Sequence, residues 1–241
     1  MTDSFPFFFK QCCLLSISFI VLLLFFPIGG KIDLMLSQPW INDQGLFFLK
    51  HSWALEVLNH KYVKHLIICC DVLFFLAWLA SFQSPKYRST RWQNGYFFMM
   101  VILSVSIIGI LKAHSSHSCP WDLTVVSDTG ISWNFIKGSG HCFPGGHASS
   151  GFALMVGYFI FRLSDPPRAY FYLTAGIILG FAMGWAQMMR GAHFISHNLW
   201  TAWIIWALNL VIYRVTYHHF VSQIVLNEFN SSPICNTKFK I

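Results

Sequence analysis

Charge is what this chain has least of. Asp, Glu, Lys and Arg together make up 10% of its 241 residues, where a soluble domain carries roughly 25%. That scarcity excludes a water-soluble globular protein. Carboxylates are scarcer still, at nine Asp plus Glu. With no His-Glu-x-x-His run, the chain lacks the usual makings of a hydrolytic zinc site. Internal repeats and low-complexity tracts are absent. So is the basic, aromatic-interleaved soluble face that a nucleic-acid partner requires. The net charge of +7 therefore reads as basic loops beside anionic headgroups. No small-residue cleavage site follows the apolar run Leu14–Pro27, so the first hydrophobic segment reads as an uncleaved helix.

What is present is apolar: 55% hydrophobic residues, among them 25 Phe and 10 Trp, and a mean hydropathy of +0.54. A membrane-spanning helix needs ~20 predominantly apolar residues. Six such segments are predicted near 11–29, 63–82, 95–111, 148–163, 170–189 and 198–216. The expected fold is all-α: a polytopic bundle of about six transmembrane helices, forming one membrane domain over 1–241. Residues 30–62 read as an interfacial loop with an amphipathic helix, and 218–241 as a polar tail with a disordered end. Asp165-Pro166-Pro167 makes a tight link between the fourth and fifth spans, because proline cannot continue a helix.

Six spans put both termini on one side. Of the sixteen Lys and Arg, nine fall on that side and seven on the other. Setting Lys112 and Arg190 aside as functional leaves nine against five, which favours termini inside. The compact size and lack of a targeting extension point to a bacterial inner membrane, with the polar loops in the periplasm.

Chemistry-bearing residues gather where those loops meet helix ends. The runs are Lys112-Ala-His114-Ser-Ser-His117-Ser-Cys119-Pro120-Trp121-Asp122, then His141-Cys142-Phe143-Pro144-Gly145-Gly146-His147, then Gln187-Met-Met-Arg190-Gly191-Ala192-His193-Phe194-Ile195-Ser196-His197-Asn198. A phosphoryl group spreads its charge over nonbridging oxygens, so its site needs fixed cations. Lys112 and Arg190 qualify, arginine adding bidentate geometry. Gly145-Gly146 before a helix start offers backbone N–H groups as an anion site. His147 and His193 can divide attack on phosphorus and protonation of the leaving alkoxide. His197, four residues beyond His193, shares its helix face and is placed to fix its tautomer. Cys12, Cys13, Cys69 and Cys70 lie in apolar runs and read as packing residues. Asp71, near the middle of the second span, has no evident role.

These runs resemble the signatures of the PAP2 (type 2 phosphatidic acid phosphatase) superfamily: K-x6-R-P, then P-S-G-H, then S-R-x5-H-x3-D, on a six-helix membrane core. Lys112-x6-Cys119-Pro120 matches the first except at Arg. Pro144-Gly145-Gly146-His147 matches the second except at Ser. Gln187-x5-His193-x3-His197 keeps the third spacing, with Gln for Arg and His for Asp. An alternative register pairs Arg190 with His197, but its gap is six and Thr201 stands for Asp. The first is preferred because Gly-Ala-His-Phe-x-Ser reads like the family's Gly-x-His-Trp/Phe-x-Ser.

The resemblance implies a catalytic core over about 95–217. It places His193 as the nucleophile that forms a phosphohistidine, His147 as general acid, and Lys112 with Gly145 and Gly146 as phosphate binders. It implies no metal and no cofactor. Arg190, one turn from Gln187, is expected to take over the missing arginine contact. His197 in place of Asp weakens the anionic support of His193, and Asp122 or Asp128 is a candidate replacement. Cys119 replaces a phosphate clamp, and a disulfide to Cys142 in the same outer loop is expected in an oxidising compartment.

The expected function is hydrolysis of a lipid phosphomonoester or diphosphate, entered sideways from the bilayer. Lipid phosphotransfer by the same chemistry is a close variant. Two rivals are a metal-dependent enzyme built on His114-x2-His117 and His193-x3-His197, and an inactive phospholipid-binding homologue. The partners expected are the bilayer and a lipid phosphate; oligomeric state is left open.

Overall fold

Apolar runs bounded by glycine, proline and charge become long helices, and the outer ends of those helices carry the polar loops. The computed structural model describes residues 4–128, 130–136 and 140–231. Lys137, Cys235 and the end of the polar tail lie outside them. Helix α1 is Ser4–Phe25 and the short α2 is Lys31–Ser37. A wide, π-type helix over Ala54–Val63 runs directly into α3, Lys64–Gln83. Helix α4 is Pro85–Arg88, α5 is Arg91–Ala113, α6 is Gly146–Ala153 and α7 is Val156–Phe161. Helix α8 is Pro166–Met189 and α9 is Ile195–Ser231. Among the described residues five helices are long and apolar enough to cross a membrane: α1, α3, α5, α8 and α9. The protein is a helical integral membrane protein.

The remaining predicted span, 148–163, is a broken helix. Its two pieces, α6 and α7, meet at Leu154–Met155, where i→i+3 bonds such as Leu154 N–H to Gly151 O tighten the turn. From Gly146 to Phe161 they cover about 24 Å at ~1.5 Å per residue, less than the ~30 Å hydrocarbon core. This segment is buried nearly throughout, packed by α5, α8 and α9. Close approach to α8 explains its small residues: a Cβ on Gly151 would come 2.3 Å from the Gly180 backbone nitrogen. Membrane helices associate through such small-residue contacts because lipid supplies no hydrophobic drive between them.

Two further features depart from the sequence expectation. Helix α9 does not stop near 216 but continues through His218 to Ser231. Phe220 holds it, packed edge-on against Tyr96 at 5.0 Å. A small antiparallel hairpin, β1 (Thr124–Ser127) with β2 (Gly130–Trp133), stands in the second outer loop, where the all-α expectation had no strand.

The three outer loops interlock. Thr124 Oγ1 donates to Gly45 O at 2.7 Å, and Trp121 N–H donates to Gly191 O at 3.0 Å. Arg190 Nε donates to Lys50 O at 2.9 Å. At the opposite end Asp165 caps α8, accepting from Arg168 N–H at 3.1 Å with prolines behind it, the usual chemistry of a helix start.

Candidate phosphoryl-transfer site

Helix α8 ends where Gly191 takes a left-handed φ of +77°, the conformation glycine supplies at helix C-termini. A side chain there would also strike the Phe47 ring. The turn that follows presents His193 one residue pair before α9 begins.

His193 is 1% exposed. Its Nδ1 donates to the Cys142 carbonyl at 2.7 Å. A carbonyl only accepts, so this contact places the ring proton on Nδ1 and leaves a lone pair on Nε2. Nε2 faces His147 Nδ1 at 3.4 Å. His197 Nδ1 stands 3.4 Å from His193 Nδ1, a longer arm than the carbonyl. The closest orienting partner of His193 is thus a backbone oxygen of the second motif, one that side-chain patterns do not advertise.

Cys142 is itself anchored. It is bonded to Cys119, with Cα atoms 5.1 Å apart and a sequence separation of 23, and its N–H donates to His117 O at 2.9 Å. The crosslink ties the first motif to the second and steadies the carbonyl that holds His193. A closed loop of this length stabilises by about 3 kcal/mol on the chain-entropy model. The double variant Cys119→Ser, Cys142→Ser is accordingly expected to lose that much in denaturant titration in detergent. A midpoint unchanged from the parent would count against the role.

Helix α6 faces the same histidines. Gly145 N–H donates to His197 O at 3.2 Å, and Thr201 Oγ1 donates to His197 O at 2.8 Å, which sews the Gly-Gly turn to the start of α9. A Cβ on Gly145 would come within 2.3 Å of Asn198 Oδ1, so no larger residue fits. A Cβ on Gly146 would stand 3.7 Å from Lys112 Nζ. The lysine at the end of α5 therefore lies over the first turn of α6. Lys112, Gly145, Gly146, His147, His193 and His197 form one constellation.

Arg190 has other partners. Nη1 donates to Gln187 Oε1 at 3.2 Å, Nε to Lys50 O, and Nη2 lies 3.4 Å from Glu56 Oε2. Every guanidinium nitrogen thus has a protein acceptor. Asp122 accepts from Trp121 Nε1 at 3.0 Å, and Asp128 lies beside the exposed hairpin turn. The carboxylate that reaches this region is Asp33 on α2. It is 1% exposed and accepts from Ser196 N–H at 2.9 Å, Ser196 Oγ at 2.5 Å and Gly29 N–H at 2.8 Å. Asp33 caps α9 from α2, far away in the chain, at Ser196 between His193 and His197. Its one signal in the sequence is an acid inside an apolar stretch, Ile32-Asp33-Leu34, of an acid-poor chain. Burial raises its pKa above the usual carboxylate value, opposed by the hydrogen bonds from Ser196 and Gly29.

His193 shifts the other way. Burial holds its pKa well below the ordinary 6.5, helped by the neighbouring His197, Lys112 and His147 and opposed by the Cys142 hydrogen bond. A neutral ring in the folded state means that below pH 6.5 the unfolded chain takes up a proton the folded state refuses. The stability His193 contributes is complete above that pH and lost as the pH falls. The thermal midpoint in detergent should drop between about pH 6.5 and 5, and less steeply for His193→Asn. Parallel slopes would refute the assignment.

A family model, PAP2 superfamily, matches residues 94–221, more than half the chain and all of this constellation, with Asp33 outside the match. The chain belongs to the PAP2 superfamily. PAP2 proteins are generally phosphatases, which the paired histidines beside a lysine and a helix N-terminus accommodate. No curated protein and no solved structure matches it. Among the described residues of this PAP2 protein, no three His, Cys, Asp or Glu side chains converge as a metal site would require.

Proposed function

We propose that the protein removes a phosphoryl group from a membrane lipid through a phosphohistidine at His193. The observation that carries the reading is His193 itself, with Nδ1 on the Cys142 carbonyl and Nε2 turned toward His147. In the first step Nε2 attacks phosphorus and the P–O bond to the lipid breaks. The departing alkoxide takes a proton from the His147 imidazolium. In the second step water attacks the phosphohistidine, gives a proton back to His147, and phosphate leaves. In-line displacement puts the leaving oxygen on the far side of phosphorus from Nε2. His147, only partly buried, therefore swings away from its 3.4 Å contact when substrate enters.

Charge balance supports a single lysine here. A phosphomonoester carries about −1.5 to −2. Lys112 supplies +1 and the α6 N-terminus roughly +0.5. Arg190, neutralised by Glu56, is not required by that sum. The site's place at the ends of membrane helices supports a lipid substrate. We assign the enzyme to a bacterial inner membrane with this face toward the periplasm.

A second reading, an inactive phospholipid-binding homologue, is favoured by one observation: Cys119 and Gln187 stand at the family's arginine positions, and Arg190 is occupied. Phosphate release from a panel of lipid phosphates by purified protein, with and without EDTA, separates the readings. Release that survives EDTA supports the phosphohistidine enzyme. EDTA-sensitive release points to a metal, and lipid binding without release to the homologue.

A further inference from the structure

A groove of about 1300 Å³ lies at the end of the bundle away from the histidines. At ~1.5 Å per residue, the stretch of α5 from Arg91 to Lys112 is about 32 Å long, close to the ~30 Å hydrocarbon core. The groove thus sits at headgroup level on the opposite membrane face. It is larger than the ~300–1,000 Å³ of most small-molecule pockets. Its walls come from the ends of α3, α5 and α9 and from α4.

Among the described residues the lining contains Arg88 and Arg91 and no Asp or Glu. Arg91 is fixed: Nε donates to Ser81 Oγ at 3.0 Å, Nη2 donates to the Ser81 carbonyl, and the guanidinium stacks on Phe82 at 4.3 Å. None of these partners is a carboxylate, so its charge is not neutralised. Arg88 is exposed on α4. Below the arginines the wall turns apolar. Trp78 lies against α5, where a Cβ on Gly95 would come 2.7 Å from its Nε1, and Met99, 55% exposed, lies about 12 Å deeper than Arg91. Cationic donors at headgroup height over an apolar wall match the two ends of an anionic lipid.

We propose that this groove binds one anionic phospholipid of the leaflet opposite the histidines, its phosphate against Arg88 and Arg91 and its acyl chain along Trp78 and Met99. The chain's own last ten residues are the rival occupant. They carry Lys238 and Lys240 and no acid, so like charge opposes them. The site is independent of the phosphatase reading.

The test is native mass spectrometry of the full chain released from micelles doped with phosphatidylglycerol or phosphatidylcholine. Phosphatidylglycerol should be retained about tenfold more, the scale of one charge-assisted hydrogen bond. Arg88→Glu should erase the preference, Arg88→Gln reduce it, and Met99→Trp lower retention by filling the apolar wall. Helix content of each variant, read by circular dichroism, should match the parent. Equal retention of both lipids, or a preference that survives Arg88→Glu, overturns the proposal. So does displacement by millimolar inorganic phosphate, which would mark a free-anion site. Retention that rises on truncation after Ser231 would give the groove to the tail. Loss of preference in Lys112→Glu would place the lipid at the histidines instead.

Discussion

His193→Ala is expected to lower phosphate release by at least about 10³-fold, with lipid binding largely kept. The size follows from the role. A covalent route through Nε2 has no substitute once the imidazole is gone, because the proposed role of His147, protonating the leaving oxygen on the far side of phosphorus, leaves it no line of attack. His147→Gln should cost about 10²–10⁴-fold, the range for general acid–base groups, and should spare leaving groups that need no protonation. A labelled substrate quenched in alkali should leave phosphate on the parent chain, since phosphohistidine resists base, and none on His193→Ala. A variant that still turns over within about tenfold of the parent would remove His193 from the mechanism.

Asp33→Ala should be the most damaging change outside the histidines. It strands two buried donors, the N–H and hydroxyl of Ser196, and the half-buried N–H of Gly29. An unpaired buried donor costs about 1–3 kcal/mol, so the loss should reach roughly 3–5 kcal/mol, seen as a lower denaturation midpoint. Activity should fall further than stability accounts for. The carboxylate fixes the first turn of α9, which carries His197 and follows directly on His193. Asp33→Asn keeps one acceptor oxygen but turns the other position into a donor facing a donor. It should retain the fold and lose part of kcat with KM little changed. If Asp33→Asn matches the parent in both, the cap is structural packing and not positioning.

Much of the architecture is legible without coordinates. A membrane helix must satisfy its backbone internally, so ~20 apolar residues in a row specify a span wherever they occur. Five of the predicted spans are single helices, three of them within four residues of their expected bounds, while α1 starts earlier and α9 runs on to Ser231. The sixth differs because burial among α5, α8 and α9, not lipid exposure, governs it. Apolarity marks both situations alike, and nothing in the sequence separates them at Leu154–Met155. The extension of α9 past 216 is hidden for the converse reason: Tyr217, His218, His219, Ser222 and Gln223 break the apolar run, and side chains such as Phe220 hold it to the bundle.

The candidate site divides along the same line. Local spacing carried Lys112, Gly145, Gly146, His147, His193 and His197, because each sits at a helix end whose geometry is set by its neighbours in sequence. Arg190 shows the limit. Helical spacing put it beside Gln187, and it does bond there, but Glu56 and Lys50 arrive from a loop far away in the chain. The carbonyl of Cys142 and the carboxylate of Asp33 belong to tertiary structure alone. A backbone oxygen has no letter in a sequence, and no periodicity links residue 33 to residue 196. By itself the sequence determined a helical membrane protein with its polar chemistry at one end. Which atoms hold His193, and which charges are already spent on protein partners, was decided only when the three outer loops folded over one another, because buried donors and acceptors must pair with whatever the fold brings near.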